Sequence, residues 1–145
     1  MNQAKGQERN KETVAVLRQW QALERQALET TARVMEESDN PVIRQIMEII
    51  RSDSLQHHRT QQFLIDALTK QAVSLTPDEM GHIWSEIEAH DAVERKTIEL
   101  AKELREKSRL PVEKALLDYL IVDEEKHGRL LDHLEQVKKG MYPSG

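Results

Sequence analysis

The sequence predicts an all-α protein, with four helices arranged as two related hairpins. Three observations carry this expectation. Charged residues make up 32% of the 145 and are mixed with abundant Ala and Leu, while five glycines and four prolines leave little room for the turns of a β protein. Apolar residues recur at alternating steps of three and four, the period of a helix face. The chain also repeats itself at a fixed offset of 70 residues, with no gap between Ala22 and Leu64. Glu24, Arg25, Glu29, Pro41, Val42, Asp53, His57, Arg59 and Leu64 recur as Glu94, Arg95, Glu99, Pro111, Val112, Asp123, His127, Arg129 and Leu134. A repeat of this size points to two copies of one helical hairpin.

In the first helix, Val14, Leu17, Gln21, Glu24, Leu28, Thr31 and Met35 form one stripe, with Glu24 at its middle. Ser38-Asp39-Asn40-Pro41 ends this helix and starts the next, with Asn40 as N-cap and Pro41 in the first helical position. The second stripe runs through Ile43, Ile46, Ile50, Asp53 or Ser54, His57, Gln61 and Leu64. Thr76-Pro77-Asp78-Glu79 is a capping-box sequence that should start helix 3. Met80, Trp84, Ile87, Asp91, Glu94, Ile98 and Ala101 line its inner face. Pro111 opens helix 4, whose stripe is Leu116, Leu120, Glu124, His127, Leu131 and Leu134, and Gly140 and Pro143 should end it. The expected organisation is one domain spanning 1–145, with hairpins at 12–70 and 76–139 and frayed termini at 1–11 and 140–145. Short connections make the helices of each hairpin antiparallel.

Composition excludes several functions. Acids and bases alternate, with a net charge of −5, which argues against nucleic-acid binding. The absence of cysteine excludes disulfides, iron–sulfur clusters and thiolate zinc sites. No apolar run approaches the roughly 18 residues of a membrane span, and the polar start lacks a signal segment. The expectation is a soluble, cytoplasmic protein. With aromatics at only 3%, the core must be largely aliphatic. Trp20, Trp84 and Tyr119 are read as packing residues, and His58, His82 and His133 as surface residues.

The chemistry lies at the centre of the stripes. Glu124 and His127 form Glu-x-x-His, which places a carboxylate and an imidazole on one helix face, a pair suited to iron, manganese or zinc. Alone this motif arises readily in charged helices. Here it sits on an apolar stripe, as do Glu24 and Glu94, and burying several acids with two histidines calls for a cation.

These residues resemble the ferritin-like superfamily, specifically the rubrerythrin-like di-iron carboxylate proteins, over about Val14 to Val137. The resemblance implies a ferritin-like four-helix bundle with one Glu from each of two helices and a Glu-x-x-His from each of the other two. Glu24 and Glu94 match the single carboxylates, Glu124 and His127 match one complete motif, and His57 matches the histidine of the other. Asp53 and Asp123 fall where the family often has an Asp bonded to the histidine of the other half, fixing its tautomer. Two irons in such a site imply oxygen or peroxide chemistry of a ferroxidase or peroxidase kind. Rubrerythrins proper carry a cysteine-bearing rubredoxin domain, so this chain would need a separate electron donor.

The departure is Ser54, which stands where the second motif needs a bridging Glu. Asp53 could substitute, although it points roughly 100° away on the helix. His90, one turn before Glu94 and opposite Trp20 in the repeat, could reach the site as an extra ligand. Otherwise a single metal is held by Glu94, Glu124 and His127 with help from Glu24 or His57. Three functions stay open: a di-iron oxidoreductase, a non-catalytic protein handling iron or zinc, and a structural or partner-binding bundle with a relic site.

The family's pseudo-twofold site would make helices 2 and 3 parallel, so their connection must cross roughly 40 Å at 1.5 Å per residue. Seven linker residues reach only about 25–30 Å. Either helix 3 begins near Gly81, or the hairpins are exchanged between two chains in a homodimer. The capping box favours the early start.

Overall fold

The computed structural model of the protein describes residues 2–70 and 73–141. Four α-helices account for nearly all of them: α1 (Asn2–Glu37), α2 (Pro41–Thr69), α3 (Pro77–Lys107) and α4 (Pro111–Met141). The chain divides into two compact units, Met1–Val73 and Ser74–Gly145, and in each the two helices pack against each other. The units correspond to the two hairpins of the repeat. Its offset extends to the helix boundaries, since Glu37 and Lys107 close α1 and α3 while Pro41 and Pro111 open α2 and α4.

In the first unit Asn40 caps α2 from an extended backbone conformation. Its side-chain oxygen accepts from the N–H groups of Val42 at 2.9 Å and Ile43 at 3.4 Å, two donors that the helix itself cannot satisfy. The guanidinium of Arg44 donates to the carbonyls of Met35 and Ser38, tying α2 back to the end of α1.

The seam between these helices is unusually polar. Leu17, Gln21, Glu24 and Thr31 are buried from α1, and Ser54, Gln61 and Ile65 from α2. Only Leu17 and Ile65 of this set are apolar. Thr31 satisfies its hydroxyl on the carbonyl of Ala27 at 2.7 Å. Gln21 donates to the carbonyl of His58 at 3.3 Å and to the side chain of Gln62 at 3.1 Å.

Two expectations need correction here. Ile43, Ile46, Ile50, His57 and Leu64, assigned to the inner stripe of helix 2, are exposed, as is Leu120 of the helix 4 stripe. The stripe has the right period, but two helices cover only a narrow seam, and the apolar arc of α2 is wider than that. The stretch 2–11, expected to fray, continues α1 as an exposed helix from Asn2. Its Gln, Ala, Lys, Glu and Arg residues are good helix formers, and extending an existing helix avoids the cost of nucleation.

In the second unit Thr76 is the N-cap of α3, and both halves of the capping box are present. The N–H of Glu79 donates to the Thr76 hydroxyl at 3.3 Å, and the N–H of Thr76 donates to the Glu79 carboxylate at 3.0 Å. Helix 3 therefore takes the early start. Met80, Glu94 and Ile121 are buried, and the remaining predicted inner residues of α3, from Trp84 to Ala101, are half-buried. Arg105 on α3 forms a forked pair with Asp118 on α4, fastening the hairpin near its turn.

Gly140 does not end α4, which runs through it to Met141 without a glycine in the left-handed conformation among the described residues. Pro143, the other expected stop, lies outside the described residues. Among the described residues, no helix is long and apolar enough to cross a membrane.

Candidate metal centre

The second unit gathers Glu94, Glu124 and His127. One ligand atom from each lies within 4.8 Å of the other two. Glu94 comes from the middle of α3 and is only 8% exposed. Glu124 and His127, three residues apart on α4, turn toward it because i and i+3 share a helix face. Nδ1 of His127 stands 3.1 Å from Oε1 of Glu94 and 3.7 Å from Oε2 of Glu124. Nε2 of the same ring faces Asp123 Oδ2 at 3.6 Å, while Asp123 also pairs with Lys126 at 3.3 Å.

This arrangement fits a cation on two counts. Donors that share a metal at about 2.1 Å stand roughly 3–4 Å apart, the separations seen around His127 Nδ1. The second oxygen of Glu94, Oε2, is buried and has no hydrogen-bond partner. A buried carboxylate oxygen without a donor is costly, and a cation would relieve that cost. Asp123, at 3.6 Å, is the acid beside Nε2 but is too far to hydrogen-bond it, so the ring nitrogen aimed at the two carboxylates is Nδ1, which is 3.1 Å from Glu94 Oε1. A cleft lined by Asp91, Arg95, Ile98 and Arg129 reaches Glu94 and Glu124. Arg95 is paired with Asp91 at 2.9 Å.

The first unit repeats half of this. Glu24 is also 8% exposed, and Nδ1 of His57 lies 3.4 Å from its Oε1. Ser54, which occupies the Glu124 position, is buried and turned inward. The unit therefore joins one carboxylate and one imidazole and lacks the second carboxylate. Asp53 is half-buried one turn before His57. In the resemblance, Asp123 serves the histidine of the other half; the imidazole it faces here belongs to its own helix.

His90, considered as an additional ligand, places Nε2 2.8 Å from Oε1 of Glu94. It is not part of the converging group of three. His58, expected on the surface, is half-buried beside the seam, with Nε2 3.2 Å from Nη1 of Arg25. His82 and His133 are exposed, as expected.

Sequence reasoning read Trp20 as a packing residue and so missed its polar contact. Its indole Nε1 donates to Oε1 of Glu24 at 3.2 Å, and the indole is half exposed. The available signal was its position four residues before a buried acid, matching that of His90 in the repeat. Trp84 makes a similar bond to Glu88 at 2.7 Å, on an exposed face.

Comparison with known proteins is silent: no family model, no curated protein and no solved structure matches the chain.

Proposed function

We propose that the protein is a metal-binding protein of the ferritin-like kind whose first cation is held by Glu94, Glu124 and His127. The observation that carries this reading is their convergence around a buried carboxylate oxygen with no other partner. Two carboxylates and one imidazole suit iron, with manganese or zinc as alternatives.

The activity we assign to it is oxidation chemistry on oxygen or peroxide, of the ferroxidase or peroxidase kind. A pair of irons, when bound, would supply the electrons. Glu24 and His57 are the residues available for the second ion. With no cysteine among these 145 residues, re-reduction falls to a donor outside them, such as a separate protein. The early start of α3 supports a homodimer with exchanged hairpins, because the linker is too short for the intrachain crossing that a di-iron site demands. A cytoplasmic location belongs to the same reading.

A second reading has a specific observation behind it. Ser54 deprives the first unit of a bridging carboxylate, which favours a protein that holds a single metal and handles it without turnover.

The test is metal content per chain after anaerobic loading with Fe(II) and desalting. Two irons per chain support the oxidoreductase, and consumption of peroxide then becomes the assay. One iron per chain supports metal handling. No iron, zinc or manganese would overturn the metal reading and leave a structural bundle.

A further inference from the structure

The two buried carboxylates are approached in the same way. Four residues before Glu24, a ring nitrogen of Trp20 lies 3.2 Å from Oε1. Four residues before Glu94, a ring nitrogen of His90 lies 2.8 Å from Oε1. Positions 20 and 90 are related by the repeat, as are 24 and 94. The histidine across each hairpin, His57 or His127, approaches that same oxygen.

The two side chains share only one capacity. Imidazole can donate a hydrogen bond or ligate a metal, but an indole N–H can only donate. What the repeat preserves at this position is therefore a donor to the carboxylate. The second unit agrees, since His90 lies outside the group of three ligand atoms.

We propose that His90 is a positioning residue rather than a ligand: its Nε2–H donates to Oε1 of Glu94 and fixes the rotation of that carboxylate toward Glu124 and His127. Trp20 does the same for Glu24. The proposal rests on the metal reading of the second unit and adds to it that the cation there takes one imidazole, from His127. An unsupported Glu side chain has several rotamers, and holding one of them in advance lowers the entropy lost when a metal binds. Donors that orient ligands commonly contribute 10–100-fold in metal affinity.

The test uses Co(II) as probe, with its visible absorption as the readout of the ligand set and competition with a chelator as the readout of affinity. His90→Ala is expected to keep the wild-type Co(II) spectrum while affinity falls about 10–100-fold. His90→Trp, which installs the donor used in the first unit, should recover most of that affinity with the same spectrum. His127→Ala should change the spectrum. If His90→Ala changes the spectrum and His90→Trp fails to recover affinity, His90 is a ligand and the proposal is overturned. If His90→Ala leaves both readouts unchanged, it is overturned as well. Failure of the wild-type protein to bind Co(II), Fe(II) or Zn(II) would instead remove the metal reading on which it rests. Because His90 is exposed, both variants should fold, with circular dichroism as the check.

Discussion

Nδ1 of His127 lies 3.1 Å from Oε1 of Glu94, joining α4 to α3 at the most buried acid of the second unit. A carboxylate so placed is poorly accommodated without a counter-ion. Glu94→Gln is therefore expected to abolish high-affinity metal binding while stabilising the metal-free protein by about 1–2 kcal/mol. Opposite signs in a metal-binding titration and in denaturant unfolding of the metal-free protein would bear this out. Equal metal affinity in wild type and variant would contradict it.

Ser54 marks where the first unit falls short. Ser54→Glu adds the carboxylate that Glu124 supplies in the second unit, beside Glu24 and His57. Bound metal should rise by one ion per chain in elemental analysis. Without metal, the new buried acid should lower stability by about 1–3 kcal/mol. An unchanged stoichiometry would show that the surroundings of Glu24 reject a cation for another reason.

Gln61 is buried with both side-chain polar atoms lacking partners. The repeat places Leu131 at the equivalent position. Gln61→Leu removes two unsatisfied groups at similar volume and should stabilise the protein by about 1–3 kcal/mol. A thermal melt checks it, and a lowered Tm would mean that the amide finds a partner in solution.

The start of α3 should respond to acid. The carboxyl of Glu79 is held below its ordinary value of 4.5, first by the backbone N–H of Thr76 and then by its hydroxyl. A depressed carboxyl stabilises the folded form above its ordinary value, and that contribution is lost as pH falls through the depressed one. Amide hydrogen exchange at Thr76, Glu79 and Met80, whose N–H groups are bonded within the cap, should therefore show less protection, after correction for intrinsic rates, below about pH 4 than at pH 6. Thr76→Ala should weaken that pH dependence.

Much of this architecture was legible beforehand because local chemistry decides it. Asn40, Thr76 with Glu79, and the prolines at 41, 77 and 111 satisfy or tolerate the open N–H groups of helix starts whatever the tertiary context, and α2, α3 and α4 begin where they indicate. The inward placement of Glu24 and Glu94 followed from their stripes. Other features depend on what a neighbouring helix covers. Period alone does not say which slice of an apolar arc is buried, so Ile43, Ile46 and Ile50 were misassigned and His58 was placed too far outside. The start of α1 was missed because residues 2–11 have no cap and no apolar stripe. Trp20 was missed because aromatic side chains suggest packing first, and only the repeat with His90 reveals its N–H as the relevant group.

The links between helices are short: Ser38 to Asn40 in one unit and Ser108 to Leu110 in the other. Glu94 and His127 are thus brought together by closing one local loop, with no distant part of the chain involved. The entropy lost in such a closure grows only with the logarithm of loop length, and contacts this local belong to the fast end of folding rates. Assembly of the three-ligand cluster is then the same kinetic event as zippering of α3 onto α4. A cation that recognises the cluster can act during that event, and in a growing chain it could do so as soon as α4 has been synthesised.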